Sequence, residues 1–185
     1  MASYAPKPAW QGKDLETIAG LERKDVVDVI LEIEHHRGAS MVSFGMSEED
    51  VRLIMKQPWV ATASDGSSHV KGPTVPHPRS YGCFPRKIGH YAIAEGVLPV
   101  EQAVRSSSGL PADILHLPER GYLKAGYFAD VVLLDPETYR DVATFDKPHA
   151  YADGVRALWV NGKLVVDNGK FTERLAGRVL RHQDP

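Results

Sequence analysis

The run WVATA, Trp59–Ala63, is apolar with little alternation, the pattern of a strand covered on both faces. What precedes it fits a parallel sheet. A helical pattern runs from Lys13 to Arg37, with Val26, Ile30 and Ile33 at i, i+4 and i+7 and Gly38 as the stop. SMVSF, Ser40–Phe44, reads as a short strand. MSEEDVRLIMKQP reads as a second helix with Ser47 as its N-cap and acidic residues in its first turn. Val51, Ile54 and Met55 make its inner face, and Pro58 stops it. The first third is therefore helix, strand, helix, strand, an order that implies parallel strands joined by crossover helices. In α/β architectures the carboxyl ends of such strands carry the chemistry.

The middle of the chain continues as helix. RKIGHYAIAEG ends at Gly96, Pro99 opens PVEQAVRSSS, and LPADIL begins another helical turn. Near Gly121 the pattern changes. GYLKAGYFADVVLLDP contains a strand over Asp130–Asp135, and VRALWVNGKLVVDNG holds two strand-like runs around Asn161-Gly162, a two-residue hairpin signal. A boundary is placed at about Pro118, with α/β chain over 1–118 and all-β chain over 119–185. A chain of 185 residues with 43% apolar and 25% charged residues has the makings of a packed domain. Its net charge of -2 argues against nucleic acid or an anionic membrane surface as partner. No apolar run approaches the roughly 20 residues of a membrane-spanning helix, and the first residues lack a secretory pattern. The lone cysteine, Cys83, excludes an internal disulfide and fits a reducing, cytoplasmic setting.

The stretch that follows WVATA is SDGSSHVKGPTVPHPRSYGCFPR, polar and stiffened by Pro73, Pro76 and Pro78. Asp65 stands at the tip of the expected strand. Asp-Gly is an ordinary turn former, but a carboxylate at that position can also serve as general acid and base. Arg79 can pair with a neighbouring acid, as lone surface arginines commonly do, or can grip a substrate carboxylate through two parallel hydrogen bonds. His69 and His77, eight apart on a loop, are a weak metal signal and read mostly as loop hydrogen-bonders. His35-His36 reads as capping at a helix end, and Cys83 as packing. No complete metal site is visible, because zinc catalysis needs three or four strong ligands in close geometry.

SDG at the strand end, then HPRSYGCFPR, then a helix, resembles the end of the barrel in the N-acyl-D-amino-acid deacylases (D-aminoacylases) of the amidohydrolase superfamily. GYLKAGYFADVVLLDP resembles that superfamily's re-entry into its small β-domain, VRALWVNGKLVVDNG its closing hairpin, and FTERLAGRVLR the usual C-terminus; GKDLETIAG and MSEEDVRLIMKQPWV also fit. The resemblance implies an α/β fold that is the C-terminal end of a (β/α)8 barrel, with SMVSF and WVATA as its seventh and eighth strands, followed by part of a small β-sandwich. It implies that earlier strands, with a His-x-His pair and further histidines holding zinc, lie outside this sequence, on a preceding segment or a separate partner chain. It implies a metal-dependent hydrolase of linear amides, acting on N-acyl-D-amino acids. Asp65 would then be the acid/base that takes a proton from a metal-activated water and returns it to the leaving amine. Arg79 would be the binder of the substrate's α-carboxylate. Arg79 follows Asp65 by fourteen positions, wider than the family's usual spacing, with SHVKGPTV as the extra length. A cyclic amidase of the dihydroorotase or hydantoinase type and a non-catalytic interaction module are the alternatives.

Overall fold

A computed structural model describes residues 1–181. The chain divides into two compact units. The first comprises Met1–Gly45, Asp65–Tyr81 and Ala143–Ala150; the second comprises Met46–Ser64, Gly82–Val142 and the chain from Tyr151 on.

In the first unit the expected single helix over Lys13–Arg37 is two, α1 (Leu15–Glu22) and α2 (Val26–His35). Arg23 takes a left-handed conformation (φ 54°) that ends α1, and Asp25 caps α2 by accepting from the Val27 N–H at 2.8 Å. This restart shifts the buried stripe. Val29 and Ile33 face inward, four apart, while Ile30 is largely exposed. They pack with Ile18, Ala19, Tyr4 and Trp10, whose rings stack at 5.0 Å. Charge closes this core at its rim. Lys7 pairs with Glu22 at 2.7 Å and with Glu32 at 2.8 Å, and Lys24 pairs with Glu32 at 2.6 Å. The two ammonium groups hold the Glu32 carboxyl down at about 2, Lys24 contributing most.

In the second unit α3 (Glu48–Met55) is capped as expected, Ser47 Oγ accepting from the Asp50 N–H at 3.1 Å. Met55 and Val51 face its core, but Ile54 is exposed. α4 (Arg79–Pro85), whose first residues up to Tyr81 belong to the first unit, runs directly into a π-helical stretch, Arg86–Ala94, at whose end the Glu95 N–H returns to His90 O, five residues back. Pro85 supplies the cause: it has no N–H to continue the α-helical ladder. α5 (Val100–Ser107) and α6 (Gly109–Ile114) follow. Ile88, Tyr91 and Ala92 of the π-helical stretch meet Met55, Leu98, Ala103 and Tyr139 in the second core.

Strands β1 (Val131–Leu134), β2 (Val155–Val160), β3 (Lys163–Asp167) and β4 (Lys170–Phe171) form one antiparallel meander in sequence order. Asn161 (φ 50°) and Gly162 (φ 76°) make the expected hairpin turn with both central residues left-handed. Asn168-Gly169 repeats it between β3 and β4. The buried Arg120 holds the turn of the first hairpin, bonding to Asp130 and to Asn161 Oδ1.

The described sheet is wholly antiparallel, and neither SMVSF nor WVATA belongs to it, contrary to the parallel strands expected of them. Ser40 makes a single bridge with Ser3. Thr62 is fixed by other means. Its N–H donates to Ser106 O at 2.7 Å, and its hydroxyl receives the Lys87 ammonium, which also reaches Ser106 Oγ at 2.8 Å. Burial of Lys87 pushes its pKa down. A buried parallel strand takes its pairing from a neighbour on either side, and a ladder cannot form without them.

Two outcomes follow for stability. A Cβ on Gly89 would lie 2.1 Å from Tyr139 O, whereas one on Gly20, inside α1, would meet nothing within 4 Å. Gly89→Ala is expected to destabilise the chain by at least about 1–3 kcal/mol through overpacking, and Gly20→Ala to stabilise it by roughly 0.5–1 kcal/mol. Urea unfolding measures both, and equal shifts would contradict the close approach. The Glu32 carboxyl falls from 4.5 to about 2 on folding, so the folded state binds fewer protons between those values. Its contribution is complete above the unfolded value and lost as the pH drops toward the folded one. Trp10 fluorescence followed between about pH 5 and pH 2 should show a shallower acid transition in Glu32→Gln than in the parent; identical acid limbs would remove Glu32 from the account.

Candidate active site

Asp65 and Arg79 lie fourteen residues apart in the chain and meet in the first unit, Arg79 Nη2 standing 2.7 Å from Asp65 Oδ2. The loop between them is closed at its neck. Asp65 adopts φ 47°, a left-handed conformation that aspartate tolerates better than most residues. Gly66 follows, and any side chain there would run into Ser80, its Cβ 2.8 Å from Ser80 Cα. The Ser67 N–H then donates to Ser80 Oγ at 3.3 Å. On the other side His77 Nδ1 accepts the Arg79 backbone N–H at 3.0 Å, and His77 O accepts the Ser80 N–H at 3.1 Å. These bonds satisfy donors at the start of α4 and set where the Arg79 side chain departs.

The pair opens on a cavity of about 380 Å³ whose lining includes Ser43, Ser67, His69, His77 and Ser80. Asp65 is 84% exposed and Arg79 42%. An ion pair this open contributes roughly 0–1 kcal/mol to stability, so folding energy is a weak reason for it. The Asp65 carboxylate is largely open to solvent, and a carboxylate oxygen can accept a proton or a hydrogen bond there. His77 is held neutral: burial first, and then the Arg79 charge, lower its pKa, Asp65 opposing them. Because Nδ1 accepts from Arg79, the ring proton sits on Nε2.

The sequence-predicted residues separate into two groups. Asp65, Arg79, His69 and His77 come together around one cavity. Cys83 lies on α4 with its Sγ 3.7 Å from Ala63 O, and His36 caps α2, its ring nitrogen 2.8 Å from Glu32 O. His77 is the loop hydrogen-bonder expected of it. The His69 carbonyl lies 3.4 Å from the Tyr81 hydroxyl. Sequence reasoning missed Tyr81 and His149. The Tyr81 hydroxyl lies 2.8 Å from His149 Nδ1, and His149 Nε2 lies 2.8 Å from Thr74 O. Nothing local marks His149, because its partners are 68 and 75 residues away.

Among the described residues no three His, Cys, Asp or Glu side chains gather as a metal centre would require. Nor is any helix among the described residues long and apolar enough to cross a membrane.

Residues 8–166 match the sequence profile of the Amidohydrolase family. The chain is 42% identical over 175 residues to the D-aminoacylase of Alcaligenes xylosoxydans xylosoxydans, covering 95% of this chain and 35% of that protein. A crystal structure of D-aminoacylase superposes with a TM-score of 0.88 at 40% identity, covering 97% of this chain and 37% of that one. The N-acyl-D-glutamate deacylase from Bordetella bronchiseptica, solved with zinc and a phosphonate inhibitor that mimics the reaction's tetrahedral intermediate, superposes at 0.80 and 33% identity over 89% of this chain and 33% of that one. The chain thus spans about a third of the length of these relatives. With a family profile matched over most of its length and a neighbour of this similarity over nearly all of it, the chain belongs to the amidohydrolase family.

Proposed function

We propose that this chain carries the acid/base and the carboxylate clamp of a metal-dependent N-acyl-D-amino-acid deacylase, a hydrolase that releases a carboxylate and a D-amino acid. The observation that carries the reading is the 2.7 Å approach of Arg79 to Asp65 at the edge of an open cavity. It puts a guanidinium, which reads carboxylates, beside a carboxylate, which moves protons. The relatives supply the reaction class: they are a D-aminoacylase and an N-acyl-D-glutamate deacylase. In this proposal residues 1–118 correspond to the last strands and helices of a (β/α)8 barrel, and the stretch from 119 on to a β-sandwich segment. Zinc, as bound in the Bordetella bronchiseptica relative, would take its ligands outside this chain. Large apolar side chains left open here, Trp59 at 71% and Phe44 at 77%, are in keeping with further polypeptide to cover them, on the same chain or a partner. The single cysteine is in keeping with a cytoplasmic setting.

Asp65 accepts a proton from the water that attacks the amide carbon and gives it to the departing amine. Arg79 fixes the α-carboxylate and so the orientation of the scissile bond. Asp65→Asn in the complete enzyme is expected to lower kcat by about 10²–10⁴-fold, since the amide matches in size but cannot take up the proton. Steady-state assay decides, and near-normal kcat would leave Asp65 as a turn residue. Arg79→Lys keeps the charge but loses the planar fork. It should lower kcat/KM on N-acyl-D-amino acids by about tenfold or more, given about 1.5–3 kcal/mol for a hydrogen bond to a charged group. The corresponding N-acyl amides should be far less affected. An equal loss on both would mean that Arg79 serves the loop and not the substrate.

A further inference from the structure

The Arg79 backbone N–H stands at the head of α4, where a helix has no acceptor of its own to offer, and His77 Nδ1 accepts it at 3.0 Å. Pro76 and Pro78 flank His77. Each proline fixes its own φ and restricts the residue before it, so the backbone that carries the ring has little room to turn. The Phe145 ring meets the imidazole edge to face at 5.0 Å. The bond to Arg79 therefore depends on the protonation state of a ring held in place. A neutral imidazole offers one acceptor nitrogen, whereas an imidazolium offers two donors and no acceptor. A proton on Nδ1 would set one N–H against another and a positive charge beside the guanidinium. Burial, and after it the Arg79 charge, disfavour that proton, and Asp65 favours it. His69 is the other titratable residue lining the cavity, and the wall contributed by Ser40, Met41, Val42 and Ser43 carries no charge.

We propose that His77 is a positioning residue with a pH-dependent hold: its neutral ring keeps the Arg79 guanidinium where it reads a carboxylate, and protonation of the ring releases it, so that the preference for an acid substrate over its amide fades as the solution turns acid. The proposal rests on the deacylase reading above and adds a condition on when the clamp is set. The ring titrates below the ordinary histidine value of 6.5. The clamp is therefore complete at neutral pH and is lost as the pH falls through the acid range.

The test uses the complete enzyme with N-acetyl-D-alanine and N-acetyl-D-alaninamide, and reads the ratio of kcat/KM on the acid to that on the amide. Ionisations that both substrates need, those of Asp65 and of the attacking water, cancel in this ratio. Between about pH 7.5 and pH 5 the ratio should fall by about tenfold in the parent, the loss of one hydrogen bond to a charged group. His77→Asn should hold it at the parent's neutral-pH level throughout, because an asparagine oxygen can accept the N–H two residues on and does not titrate. His77→Ala should hold it about tenfold lower at every pH. Turnover of the amide by each variant shows that the variant is folded. A ratio independent of pH in the parent, a parent-like fall in His77→Asn, or a parent-like ratio at pH 7.5 in His77→Ala would overturn the proposal. Acid-selective loss in Arg79→Lys keeps the deacylase reading intact whatever His77 does. A readout without turnover is the ¹⁵N spectrum of the His77 ring, identified by its absence in His77→Asn. At pH 7.5 it should show the proton on Nε2, and a proton on Nδ1 refutes the hold on Arg79.

Discussion

Gly66 is the residue on which the site depends. Its missing side chain lets the chain leaving Asp65 come against the backbone of Ser80, where a Cβ would stand 2.8 Å from Ser80 Cα. That approach closes a long loop into a ring whose two ends bear the Asp65 and Arg79 side chains. Asp65 precedes the neck on one side and Arg79 on the other, and their side chains meet at 2.7 Å because their backbones are already adjacent. The ion pair is a consequence of the neck. It is too exposed to have built it. The loop's own hydrogen bonds, Ser67 N–H to Ser80 Oγ and Arg79 N–H to His77 Nδ1, then fix each end.

The rest of the loop is held by groups that are remote in sequence. Val75 N–H reaches Ala2 O at 3.1 Å, and Thr74 O takes His149 Nε2. Pro73, Pro76 and Pro78 restrict the backbone between these anchors, lowering the entropy lost when it is ordered. A loop pinned at its neck, its tip and its flank can wall a binding cavity without a strand or helix of its own. This suits a family in which loops at strand ends vary while the scaffold persists.

Features specified by short-range chemistry were legible in the sequence. Ser47 caps α3 as its position implied, and Asn161-Gly162 turns the hairpin because those two residues accept positive φ. Asp65 and Arg79 could be singled out, but their meeting shows only in the structure. Other features were hidden by continuity of pattern. The apolar spacing over Lys13–Arg37 runs through a break that only the Arg23 conformation and the Asp25 cap reveal, and the restart exchanges Ile30 for Val29 in the core. WVATA has the composition of a buried strand, yet pairing is a property of neighbours, and Thr62 is held by Lys87 and Ser106 instead of a ladder. The Tyr81–His149–Thr74 strut joins residues about seventy apart, and no local periodicity reports such contacts.

The central claim is that one guanidinium serves both the proton-transfer carboxylate and the substrate's carboxylate. A crystal structure of the complete enzyme with a phosphonate analogue of an N-acyl-D-amino acid tests it most directly. The account predicts the analogue's α-carboxylate within hydrogen-bond distance of the Arg79 guanidinium, and an Asp65 oxygen within the same reach of a phosphonate oxygen. A carboxylate bound away from Arg79, with the Asp65–Arg79 pair undisturbed and facing only solvent, would contradict it.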